Sequence, residues 1–534
     1  MPRAIASTAA LSLVLFTTRL PAQEHAHAHG PAEQLGTVHF ATSCAPATAP
    51  TFDRGVALLH SFEFGASIRA FNDVLAVDST CAMAQWGIAL SRWSNPMAAG
   101  NRTAATLAPG REAANAAARL ATHATSRERG YVDAVRELYA DYEHRDQRTR
   151  MMAYERAMAA LVAREPADTE AKIFHAIALV ASAPPTDKTY ANQIAAGATL
   201  EQIWEREPNH PGLAHYIIHA YDVPALAPRA RLAAARYAQI APSAAHALHM
   251  PSHTFTRVGM WEQSIATNLR SIDAAKRAGA MGEALHAADY ATYAYLQLGR
   301  NAEAKEIVDS LPAYASRFDV NAITGAAPGS AGVFALAAIP ARYALERRDW
   351  PAAAALRVTT SAYPYTDALT YFARSLGRSH TGDTTGARRD IDSLVALRER
   401  LLAQHESYWA EQVAIQRLGA LAWLARAQGR NDDALAQMRE AAAREDATEK
   451  SAVTPGPLAP AHELLGDLLM ELGRPADAAA EYRATLAKEP GRLRSLDGVR
   501  RGGALDAVIR SMPTEHARPK SNRCGRRRGS RRSP

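Results

Sequence analysis

The chain has 534 residues, 48% of them hydrophobic, and a formal charge of +7, enough for several domains or one long repeat array. That charge does not point to nucleic acid, because the last 21 residues, TEHARPKSNRCGRRRGSRRSP, themselves carry a net +7. Without them and the leader arginines Arg3 and Arg19 the body is slightly acidic, at −2, and offers no basic stripe to follow phosphates.

In chain order, MPRAIASTAALSLVLFTTRLPAQ comes first, with Arg3, an apolar run from Ile5 to Phe16, and small residues around Ala22. It reads as a secretory signal peptide over 1–22, too short to span a bilayer. Nothing later is a long unbroken apolar run, so the expected mature chain has no membrane span and lies outside the cytoplasm, in the periplasm or beyond the cell. Residues 23–45 read as a histidine-containing linker, in which His25, His27 and His29 could scavenge metal weakly. Three cysteines follow in the chain: Cys44, Cys81 and Cys524. An exported protein makes a Cys44–Cys81 disulfide the expectation, provided the Cα atoms come within roughly 7 Å.

From residue 46 onward the alanine-rich sequence has helical periodicity and no strand-like alternation, so the class is all-α. A grammar then recurs: helix, Gly turn, second helix, proline or aspartate stop. HELLGDLLMELGRPADAAAEYRATLAKEP places Gly466, Gly473, Ala478, Tyr482 and Pro490 in that order. LAWLARAQGRNDDALAQ repeats it with Gly429 and Ala434, YATYAYLQLGRNAEAKEI with Gly299 and Ala304, and TFTRVGMWEQSIA with Gly259. These segments resemble the tetratricopeptide repeat, a helix–turn–helix unit of about 34 residues. The resemblance implies a right-handed superhelical solenoid of about eight to ten helix pairs, stacked because no pair buries its apolar face alone. The expected division is a repeat block over 46–315, a loop at 316–332, a second block over 333–490, and a cap with a basic disordered tail over 491–534.

The histidines follow the period. His249 and His253 lie 34 residues after His215 and His219, so both pairs hold equivalent positions on adjacent first helices. In the next repeat the lag is 40, carrying His246 to His286, His249 to Asp289 and His253 to Tyr293. Along each helix the sets His215–His219–Asp222, His246–His249–His253 and His286–Asp289–Tyr293 share a face. In the tetratricopeptide family these positions point into the concave groove, so the resemblance gathers all of them on one inner wall.

Imidazole and carboxylate without thiolate are the ligands of a zinc, copper or iron ion, and the set is rich enough for one ion or two. The expected metal ligands are His215, His219, Asp222, His246, His249, His253, His286 and Asp289. Pro251 interrupts the helix of His246, either aiming that ring away or opening room for the ion. Glu63 or Asp289 is a candidate base and Tyr293 an outer donor. His60, Glu63, Trp86 and Trp93 are candidate groove residues, with core packing the competing reading of both tryptophans. The alternatives are a metal-free scaffold binding a peptide or envelope protein along the groove, and a protein that sequesters or delivers metal. Finally, VHFATSC, LLHSFEF, CAMAQWGIAL, HYIIHAYD and HALHMPSHTF together resemble a group of exported bacterial tetratricopeptide repeat proteins of undetermined function. That resemblance implies export and fold, and brings no reaction with it.

Overall fold

The computed structural model describes residues 33–98, 101–184 and 186–502, and within them the chain is all-helical. The expected signal peptide, the HAHAH tract, Cys524 and the basic tail lie outside the described residues. Consecutive helices pack as helix–turn–helix pairs, and each pair stacks on the next. The turns are those the repeat grammar marked. Gly299 and Gly473 close their first helices at φ of 70° and 71°, a left-handed conformation that side chains with a Cβ resist.

Within a pair, the small residue of one helix receives the ring of the other. A Cβ at Gly466 would stand 2.8 Å from the Tyr482 ring, so the glycine is what allows the helices this close. Elsewhere helices are started by side-chain caps, such as Thr125 with Glu128 in a reciprocal capping box and Asp168 on the amide of Ala171. Among the described residues no helix is long and apolar enough to cross a membrane.

Two boundaries differ from the sequence reading. The linker ends earlier than residue 45, because Leu35, Val38 and Phe40 are buried. Phe40 packs against Phe52, Trp86 and Tyr131 at 5.2–5.5 Å between ring centres, and the Thr37 amide donates to the Asn209 carbonyl at 3.0 Å. The Cys44–Cys81 disulfide is formed, with Cα atoms 5.0 Å apart, and ties this extended segment to the N-terminus of the helix Ala82–Trp93. The loop after residue 315 is shorter than expected, since the helix Gly329–Glu346 begins inside it.

Past Pro490 the chain remains part of the body. Arg492 is fully buried, donating to Glu463 at 2.8 Å, Glu346 at 2.7 Å and Tyr293 at 3.0 Å, and a further helix runs over Leu493–Arg501.

Candidate metal centre

Three helical segments carry the histidines: Pro211–Ala220, the broken pair Ala245–His249 and Pro251–Arg257, and Met281–Gln297. Pro251 occupies the first turn of its segment, where its missing N–H costs no bond, and Met250 before it stays helical at φ −53°. The break therefore leaves His246 aimed at its neighbours.

Six imidazoles converge in two sets, His215–His219–His246 and His249–His253–His286, each with ligand atoms within 4.8 Å of one another. Across the two sets, His246 and His249 are 5.8 Å apart by ring centre, and His219 and His253 6.3 Å. These separations resemble the 4.5–6.1 Å found within a set, so the two sets adjoin. None of the six rings is more than 6% exposed. They form a buried cluster under residues 326–331 and 452–453, in place of the open groove wall expected from the sequence. A cavity of about 30 Å³ reaches four of them, His219, His246, His253 and His286, past Met97, Tyr365 and Trp409.

The hydrogen bonds fix the tautomers. His215 Nδ1 lies 2.6 Å from the His60 carbonyl, which can only accept, so the proton is on Nδ1. His249 Nδ1 lies 2.7 Å from Asn268 Oδ1, and that amide is oriented by its Nδ2 donating to the Ser264 carbonyl at 2.7 Å. His253 Nδ1 donates to Asp222 Oδ2 at 3.0 Å. Burial alone would raise the Asp222 carboxyl, but Lys450 and Arg257 hold it well below the usual range, so it is an ionised acceptor.

With Nδ1 protonated in both His249 and His253, each Nε2 presents a lone pair, and the two stand 3.1 Å apart. A proton cannot bridge them unless one ring is cationic. Burial, with the neighbouring histidines, pushes the His249 pKa well below its ordinary value, and burial also lowers His253 despite Asp222.

The first set shares one proton but leaves other polar atoms unmet. His246 Nε2 is 3.1 Å from the unprotonated His215 Nε2, while its Nδ1 faces the Glu283 carboxylate at 3.6 Å. With a proton on Nε2, His246 donates to His215, and its Nδ1 makes no hydrogen bond to the Glu283 carboxylate it faces. His219 Nε2, His246 Nδ1, His286 Nδ1 and Glu283 Oε2 are all buried with no hydrogen-bond partner. An orphaned buried polar atom costs about 1–3 kcal/mol. A cation accepting the lone pairs of both sets removes the conflict, so the donor set fits a transition metal bound through imidazole. Burial likewise depresses His215 and His219, and takes His286 down to about 3, so these rings are neutral and ready to ligate at neutral pH.

Aromatic rings wall the cluster. Phe62 sits at φ 55°, an uncommon conformation for a residue of this size, and its ring contacts His215, His219 and His246 at 4.4–5.8 Å. Tyr290 packs edge-on to His249 at 4.9 Å and donates its hydroxyl to the Ala452 carbonyl at 2.9 Å.

Of the residues expected at the site, the six histidines come together. Asp222 lies behind His253 as an orienting partner. Glu63 accepts the His246 amide at 3.1 Å, and His60 acts through its carbonyl. Asp289 is drawn off to Arg342, 3.1 Å away, and Tyr293 to Glu489 at 2.7 Å and Arg492, because their side of the helix meets the C-terminal block. Trp86 is a core residue between Phe40, Tyr131 and Phe174, and Trp93 packs on Tyr139 beneath Arg102, so neither touches the imidazoles.

The sequence reading missed Glu283, Tyr290, Asn268, Lys450 and Phe62. Glu283 and Tyr290 lie three before and four after His286, a spacing that could have found both. A third group, His60–Glu170–His210, was missed as well. Glu170 accepts from both imidazoles at 2.9 and 3.0 Å. Burial would raise this carboxyl, but the two rings pull it well below its ordinary value. That group is hydrogen-bonded without opposed lone pairs.

No protein-family description matches the chain, and no curated protein does. Solved structures of similar helical outline include the anaphase-promoting-complex hetero-tetramer Cut9–Hcn1, with 12% identity, 85% of this chain and 76% of that one covered, and a TM-score of 0.36. Yeast Tom70 aligns at 10% identity over 87% of this chain and 96% of its own, with a TM-score of 0.33. A monomeric IFIT1 variant with Gppp-AAAA aligns at 10% identity over 86% and 97%, with a TM-score of 0.37. At these scores the likeness carries no argument about chemistry or partners.

Proposed function

We propose that this chain is an exported helical-repeat metalloprotein whose six buried histidines hold a transition-metal centre. One observation carries the reading: the Nε2 lone pairs of His249 and His253 face each other at 3.1 Å, with both protons committed elsewhere. Three imidazoles per set leave a coordination position open on a four-coordinate ion, the arrangement of reactive rather than structural sites. The cavity at His219, His246, His253 and His286 supplies the approach. Export is supported by the leader-like N-terminus and by the disulfide, which persists in oxidising compartments. A groove that reads a peptide through these histidines is disfavoured, because side chains at most 6% exposed do not present themselves to a macromolecule.

Elemental analysis of the purified mature chain tests this against a His215→Ala, His249→Ala double variant. The wild type should retain metal in whole-number stoichiometry after dialysis, and the variant should lose it. Equal metal content in the two proteins would end the proposal.

A further inference from the structure

We infer that the centre holds two copper ions, one per tri-histidine set, and that monovalent copper is the form this pocket favours. This rests on the metal reading above and goes beyond it in number, element and charge. The number follows from the two sets. Each brings three nitrogens within 4.8 Å of one another, and each holds its own unmet atoms: the unpartnered His219 Nε2 and His246 Nδ1 in one set, the opposed lone pairs of His249 and His253 in the other. One ion seated in either set leaves the unmet atoms of the other. With cross-set ring separations of 5.8 and 6.3 Å, the two ions are immediate neighbours.

The charge state follows from what surrounds the rings. All six ligands are neutral imidazoles. Among the described residues, the charged side chains against the cluster are Asp222, Glu283 and Glu63 on one side of the account, and Arg257 and Lys450 on the other. Asp289 and Arg342, farther along the helix, cancel each other. The surroundings thus carry one net negative charge.

Two dications would leave the buried centre at three positive charges, and two monocations at one. The cost of burying charge grows steeply with its magnitude, so a nearly neutral shell selects the monovalent pair. Of the metals that imidazole suits, copper is the one with a stable monovalent state. The thioether of Met97 in the wall of the cavity is a further soft group within the same pocket.

The test is anaerobic titration of the metal-free full-length chain with Cu(I), held by a coloured chelator, in competition with Zn(II). The wild type should take two copper ions per chain and keep them in the presence of equimolar zinc. His249→Ala with His253→Ala, and separately His215→Ala with His246→Ala, should each halve the stoichiometry, with helix content checked by circular dichroism. X-ray absorption of the loaded wild type should show a nitrogen first shell and a copper neighbour within about 4 Å.

Should the histidine variants misfold, Lys450→Met gives a second measurement, since Lys450 is not a ligand. Removing its positive charge should improve zinc binding by roughly tenfold more than copper binding. Preference for zinc in the wild type, no such shift in Lys450→Met, or a single ion abolished by either double variant would each overturn the copper pair and leave the metal centre standing. A wild type that binds no metal would remove both.

Discussion

Asn268 dictates which nitrogen of His249 is free: its amide nitrogen is held by the Ser264 carbonyl, so its oxygen takes the Nδ1 proton of the imidazole at 2.7 Å. The Nε2 lone pair is thereby turned toward His253. Replacing Asn268 with Leu keeps the volume and removes that control. Metal affinity should fall about 10–100-fold, the usual effect of losing such a partner. A competitive chelator titration reads this directly, and unchanged affinity would show that the tautomer is set by other means.

Acid should destabilise the metal-free chain from an unusually high pH. Burial lowers the pKa of His60, His215, His219, His249 and His253, and takes His286 to about 3 from an ordinary 6.5. Below pH 6.5 the unfolded chain binds protons that the folded chain refuses, so stability falls as pH drops through this window. The contribution is complete above 6.5. Urea unfolding between pH 7.5 and 5 should show the slope, and His286→Gln should flatten it.

Two glycines of one repeat should fail for different reasons. Gly466→Ala pushes a methyl to 2.8 Å from the Tyr482 ring, an overpacking that costs about 1–3 kcal/mol. Gly473→Ala meets no atom within 4 Å but must hold φ at 71°, a cost of roughly 1–2 kcal/mol. Shortening Tyr482 to Leu should rescue the first variant and leave the second unchanged, as judged by the midpoints of thermal unfolding.

The disulfide closes a loop with a sequence separation of 37. Cys44→Ser with Cys81→Ser should lower stability by about 3–4 kcal/mol. The segment 35–44 should gain amide exchange first, since its Phe40 anchor depends on that tether. Exchange confined to other segments would place the stabilisation elsewhere.

The repeat lag made the six histidines legible, because stacked pairs convert a constant offset into adjacency. The same arithmetic misplaced Asp289 and Tyr293. It treats every repeat as facing one hollow, whereas the helix Met281–Gln297 is buried along its whole length and turns its later residues to Arg342 and Arg492. Those arginines lie 53 and 199 residues away, beyond the reach of any period. Glu170 and His210 escaped for a related reason. They meet His60 only through packing between distant repeats, and no spacing along one helix announces them. Segment 35–44 lacks a helical period, so its aromatic anchor was read as linker.

The stretch after residue 446 runs past the histidine cluster. Its backbone carbonyls at Ala452 and Thr454 receive the Tyr290 hydroxyl, and those at Gly456 and Pro457 receive Arg342, so this strap is latched across the histidines. A chain synthesised without its last repeats would display the imidazoles to solvent. Retention of the proposed ion would thus depend on the C-terminal repeat block, which itself supplies none of the six histidines.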